Sequence, residues 1–171
     1  MLKNSILFAV LIAIIALALT GFASAWEDED CEETAWAAPK YSPGETRFVD
    51  QGNWGTYVNY TLGEGTSGNY KQYYIYAGQN YKVGTLKVYD DGDTIYVRYV
   101  TTPKLSEYHL HVVDEIGDFS AVQTKKGNPI PGQFAYSKEG ISTNDTGWIE
   151  VDGHPDKVYI AAHSVVQLCD D

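Results

Sequence analysis

The chain is 171 residues long and carries 23 acidic against 12 basic side chains, a formal net charge of −11 at pH 7. Such acidity argues against nucleic acid and anionic membrane surfaces as partners, because both repel a negative protein. The length fits one domain, able to bury about two-thirds of its unfolded surface in a single core.

The chain opens on a targeting pattern. Lys3 supplies a positive start, positions 6–19 are uncharged and apolar, and Ala23-Ser24-Ala25 has the small-x-small form of a cleavage site. The apolar stretch is short beside the roughly 20 residues that a membrane span needs. The expectation is a signal peptide over 1–25, removed on export, and no membrane contact afterwards. Cleavage leaves 146 residues with a net charge of −12. The acidic stretch 26–30 reads as a solvated lead and 31–171 as the folded domain.

Cys31 and Cys169 are the only cysteines, and both fall in the exported part, so a disulfide is the default in an oxidising compartment. Closed within one chain, a bridge across 138 positions stabilises by about 4 to 5 kcal/mol in the chain-entropy treatment. Closed between chains, it would join neighbouring molecules, and the sequence leaves both open. Beside Cys31, the run Ala35, Trp36, Ala37, Ala38 stops at Pro39 and reads as an edge segment, or as a strand donated to a neighbour.

From position 48 onward the apolar runs are short, alternating, and rich in β-branched and aromatic residues. Strands are expected at 54–62, 70–76, 83–89, 94–100, 108–113, 133–136, 147–151 and 157–166. The fold class is therefore all-β, a single antiparallel β-sandwich of about eight strands. Asp90-Asp91-Gly92-Asp93 supplies the turn of the clearest hairpin. These carboxylates suggest calcium, but the glutamate that closes a calcium loop is missing, which favours a solvated turn. Gly63-Glu64-Gly65-Thr66-Ser67-Gly68 spells a dinucleotide fingerprint, yet a strand follows it instead of a helix, so it reads as a loop.

Chemistry is sparse. His109 and His111 lie two apart on a predicted strand, so they share a face, and Glu107 falls on that face with them. With His163 from the last strand they make a candidate polar or metal cluster, although strand histidines are also ordinary packing residues. No cofactor is otherwise expected. There is no nucleophile elbow and no zinc-protease helix motif, so no catalytic residue is assigned. Asn59 and Asn144 head glycosylation sequons. All 14 tyrosines follow the leader, and alternation sends some to the surface, where rings favour partners or sugars.

The segments CEETAWA, NWGTYVNYTLGEG, YIYAGQNYKVGTLKVYDDGDTIYVRY, EYHLHV, IPGQFAY and AAHSVVQLC together resemble a group of uncharacterised secreted β domains of archaea and bacteria. That group begins Cys-Glu-Thr-Ala-Phe/Trp-Ala and carries Ala-His-Ala-Val-Val near its end. The resemblance spans nearly all of the mature chain and implies export and a compact β domain, with no activity attached. It places Glu107 and His109 on a Glu-x-His pair and His163 on the tail histidine, while His111 stands where an aromatic is expected. Either Glu32 or Glu33 matches the head glutamate.

Three functions follow as expectations. The first is a secreted structural subunit of a sheath, surface layer or filament, associating with copies of itself or with other cell-surface proteins through strand edges. The second is a secreted module for glycans or another small ligand. The third is a metal-dependent enzyme, which requires Glu107, His109 and His163 to converge.

Overall fold

Strands form where apolar side chains alternate with polar ones. In chain order they are β1 (Glu32–Ala38), β2 (Val58–Thr61), β3 (Lys71–Ala77), β4 (Tyr81–Asp90), β5 (Thr94–Val113), β6 (Tyr136–Asp145), β7 (Ile149–Asp152) and β8 (Lys157–Gln167). Two 3-10 helices, Ile116–Val122 and Pro131–Gln133, interrupt the run between β5 and β6. This is a computed structural model, and it describes residues 31–40, 44, 46–52 and 54–169. The expected signal peptide and the acidic lead lie outside the described residues.

All pairings between the strands are antiparallel, and the fold is all-β. β5 organises it. The first half of β5 pairs with β4 from Asp90↔Ile95 to Gly84↔Thr101, and the second half pairs with β8 from Leu105↔Val166 to Val113↔Tyr159. Because β1 pairs with both β3 and β8, and β3 pairs with β4, the ladder returns to β5 and closes. The two halves of the sheet are thus joined at corners by strands that belong to both. Pro103, which lacks an N–H, sits where β5 exchanges one neighbour for the other. The strands expected at 94–100 and 108–113 are thus one continuous strand, with Pro103 in the stretch between them.

A register shift between Leu105 and Glu107 changes which face each β5 side chain occupies. Ahead of it, Ile95, Val97, Tyr99 and Leu105 point into the main core; beyond it, Tyr108, Leu110 and Val112 do. One extra residue exchanges the two faces of everything that follows. Glu107, His109 and His111 are thereby turned outward. Without the shift their charges and imidazoles would fall among Leu86, Val88 and Ile160.

A second apolar cluster covers that outer face. Trp36, Val113 and Ala161 project from the sheet, and Phe119, Val122 and Phe134 cap them, with Phe48, Trp54, Tyr57 and Tyr159 at the margin. β1 is consequently buried on both sides: Ala35 and Ala37 face the main core while Trp36 faces the cap. Such a strand shows no apolar–polar alternation, so the sequence marks only Ala35 to Ala38 of it, and as an edge or donor segment. It is also no edge. β3 pairs with Ala35 to Ala38, β8 takes the other margin of Ala35 and Trp36, and the Thr56 hydroxyl donates to the Ala37 carbonyl, so the expectation of Ala35 to Ala38 as an edge or donor segment is corrected: this chain's own sheet uses it.

Two further expectations need correction. The strand placed at 133–136 lies instead between a 3-10 turn that ends at Gln133 and β6, which starts at Tyr136 and whose residues are mostly exposed and polar and carry little apolar signal. The strand placed at 54–62 shortens to β2, because Trp54 and Tyr57 pack over the second cluster before pairing begins. Gly65, in the loop that spells the dinucleotide fingerprint, has a structural reason: a Cβ there would lie 2.5 Å from the carbonyl oxygen of Val88.

Cys31 and Cys169 form a disulfide within the chain, with their Cα atoms 5.3 Å apart. It closes the open end of the β1–β8 ladder, where Leu168 N–H already donates to the Cys31 carbonyl at 2.7 Å. Among the described residues no helix is long and apolar enough to cross a membrane.

Candidate functional site

On the outer face, three side chains stand in a row across three neighbouring strands. Trp36 on β1 is in register with His163 on β8, and His163 with His109 on β5. The Trp36 and His163 rings lie 4.8 Å apart between centroids, tilted by 59°. The two imidazoles approach through Nδ1 atoms 3.3 Å apart. Both histidines are buried, and burial together with the neighbouring His109 pushes the His163 pKa down to about 3. A neutral imidazole beside a ring face is an acceptor or a ligand and not a cation.

Glu107 joins this row. Its Oε1 lies 3.8 Å from His109 Nδ1, and one ligand atom from each of Glu107, His109 and His163 falls within 4.8 Å of the others. Three of the four cluster residues expected from the sequence therefore converge. His111 does not. Its Nδ1 accepts a hydrogen bond from the Ala135 N–H at 3.2 Å, and its ring packs on Phe134 at 5.6 Å, so it is a packing residue whose burial lowers its pKa. The fourth histidine, His154, contacts Asp114 at 2.7 Å.

A cleft of about 390 Å³ opens beside His163. Its apolar wall is Trp36, Trp54, Pro129 and Pro131, and its polar groups are Glu33, Thr34, Gln79 and His163. Gln79 is the one described non-glycine residue in the left-handed region, with φ at 76°. It holds the turn between β3 and β4 next to Gly78, over which the Glu33 carboxyl carbon would stand 3.7 Å from a Cβ. Strained backbone and a shifted pKa at one concave site are physical marks of function. Of the two head glutamates, Glu33 lines this cleft and Glu32 is exposed. The sequence reading did not select Trp54, Gln79, Pro129 or Pro131, because segments far apart in the chain bring them together.

A second aromatic group lies on β4, β5 and the segments beside β3 and β7. Tyr89 stacks on Tyr96 at 4.5 Å and 7°, Trp148 meets Tyr89 edge-on at 4.7 Å, and the Arg98 guanidinium lies 5.4 Å from the Trp148 ring centre. These rings use their faces on each other. The cleft is the better seat for a ligand.

The remaining candidates are local. Asp91 accepts from Thr94 N–H, Asp93 N–H and the Tyr96 hydroxyl, which holds its carboxyl below the usual range, so the hairpin turn satisfies its own carboxylates. Asn59 is exposed on β2. The Asn144 amide, the atom a glycan would take, donates to the Thr102 carbonyl at 2.6 Å.

Compared with known proteins, the chain matches no family model, no curated protein and no solved structure. Its function is therefore read from geometry.

Proposed function

We propose that this protein is an exported binding module that takes a small polar ligand with an apolar face, of the glycan class, in the cleft beside His163. The observation that carries this reading is the composition of the cleft. About 390 Å³ of concave space is walled by Trp36, Trp54, Pro129 and Pro131 and tipped with Glu33, Gln79 and His163. Ligand sites pair apolar walls with a few oriented polar groups in this way. A sugar ring presents a C–H face to an indole and hydroxyls to carboxylate, amide and imidazole, so both halves of the lining are used.

Export is part of the proposal. It rests on the leader pattern of the sequence and is compatible with the disulfide between Cys31 and Cys169. The two features that suggested assembly into sheaths or filaments, the Ala35 to Ala38 strand and the cysteine pair, are both used inside one molecule.

The test is saturation-transfer NMR of the purified protein against neutral and acidic oligosaccharides, with tryptophan fluorescence as a second readout. Trp54, at the margin of the second cluster, can be removed without emptying the core. Trp54→Ala is expected to cost at least about tenfold in affinity, roughly 1.4 kcal/mol. Absence of binding together with polymers in negative-stain images would overturn the reading in favour of a self-associating subunit.

A further inference from the structure

We infer that Glu107, His109 and His163 form a binding site for a divalent transition-metal ion. Two imidazole nitrogens and a carboxylate oxygen are the donor set that zinc and its neighbours in the first transition row favour. A tetrahedral ion with bonds of about 2.0 to 2.1 Å separates its ligand atoms by roughly 3.3 Å. The Nδ1 atoms of His109 and His163 are already 3.3 Å apart. Glu107 Oε1 lies 3.8 Å from His109 Nδ1, the three ligand atoms lie within 4.8 Å of one another, and the Glu107 side chain, 29% exposed, is free to turn toward the ion.

The surroundings fit the same ion. Coordination through Nδ1 of His109 leaves the proton on Nε2, and metal-bound histidines hand that proton to a carboxylate or carbonyl. Glu139 Oε1 stands 3.6 Å from His109 Nε2, on the far side of the ring from Glu107. Glu107 and Glu139 are also directly in register on β5 and β6. Two carboxylates opposite each other on neighbouring strands repel, and a cation held between Glu107 and the imidazoles relieves that repulsion. The two histidines are buried whereas both glutamates reach solvent, so an ion enters from the β6 side. His163 borders both the cleft and the metal cluster, so the metal titration is run without a cleft ligand and reads the metal site by itself.

The test uses the purified protein, disulfide intact, stripped with a chelator and then titrated with zinc by calorimetry and with cobalt by visible absorption. One ion per chain is expected, with the ligand-field bands of a low-coordinate cobalt site. Glu107→Gln and His163→Ala are expected to weaken binding by more than tenfold, and Glu139→Gln by about 10- to 100-fold. His111→Ala is expected to leave affinity unchanged. Circular dichroism checks the fold of each variant. Because Glu107→Gln preserves shape at a partly exposed position, it remains decisive if a histidine variant fails to fold. The site is overturned if the folded wild-type protein takes up neither ion, which would make the imidazoles a hydrogen-bonded pair only. It is overturned equally if uptake persists undiminished in Glu107→Gln.

Discussion

At Gln79 the backbone adopts φ of 76°, a conformation that side chains with a Cβ visit at a cost. Glycine would remove that cost, and a β-branched residue would increase it. Gln79→Gly is therefore expected to unfold in urea within about 1 kcal/mol of wild type, and Gln79→Val to lose about 1 to 2 kcal/mol. If the amide of Gln79 contacts the ligand, Gln79→Gly lowers affinity while leaving stability nearly unmoved. That separation of stability from binding distinguishes a binding residue from a turn residue. The pair Glu32 and Glu33 carries the same lesson. Two identical neighbours in the sequence differ in what lies beside them: Glu32 is exposed, whereas the Glu33 carboxyl lies against Gly78 of the β3–β4 turn and lines the cleft.

At the scale of the strand, β4 owes its place to a glycine. A Cβ at Gly84 would lie 2.3 Å from the Val100 carbonyl oxygen and 2.8 Å from Thr101 Cα. Both are backbone atoms of β5 and cannot rotate away. Gly84 also pairs with Ile75 where the β3–β4 register shifts, so three strands crowd there just before β5 changes partners. Gly84→Ala is expected to lower stability by about 1 to 3 kcal/mol, measured as the shift of a urea transition. Gly68→Ala, with nothing within 4 Å of its Cβ, is the control and should stay within about 0.5 kcal/mol. β4 itself was legible from its alternation and from the Asp90 to Asp93 turn, both of which are local signals. β1 and β6 were not. β1 is buried on two faces and β6 is polar along an outer margin, so neither shows the period of a half-buried strand.

For the whole molecule the disulfide decides how firmly the ends are held. Reduction is expected to lower the unfolding free energy by about 4 to 5 kcal/mol, compared in denaturant with and without reductant. A shift below about 1 kcal/mol would mean that the five β1–β8 residue pairs hold the termini of the domain unaided. On non-reducing gels the protein should run as a monomer, since each cysteine has its partner in the same chain.

Strand content, the acidic hairpin turn and the common face of Glu107 and His109 were determined by sequence alone, whereas closure of the Cys31–Cys169 bridge within one chain was decided by the structure. Each of the first three depends on side-chain period or turn chemistry, and these act over a few residues. Whether that face looks inward or outward was decided only by the register shift after Leu105. That His163 and not His111 completes the cluster depends on which strand lies beside β5. The cleft draws on β1, the β3–β4 turn, the segment before β2, the two prolines and β8. Closure of the ladder brings those pieces together, because the pairing of β1 with β3 and β8 and of β8 with β5 joins segments far apart in the chain, and no local pattern encodes that choice.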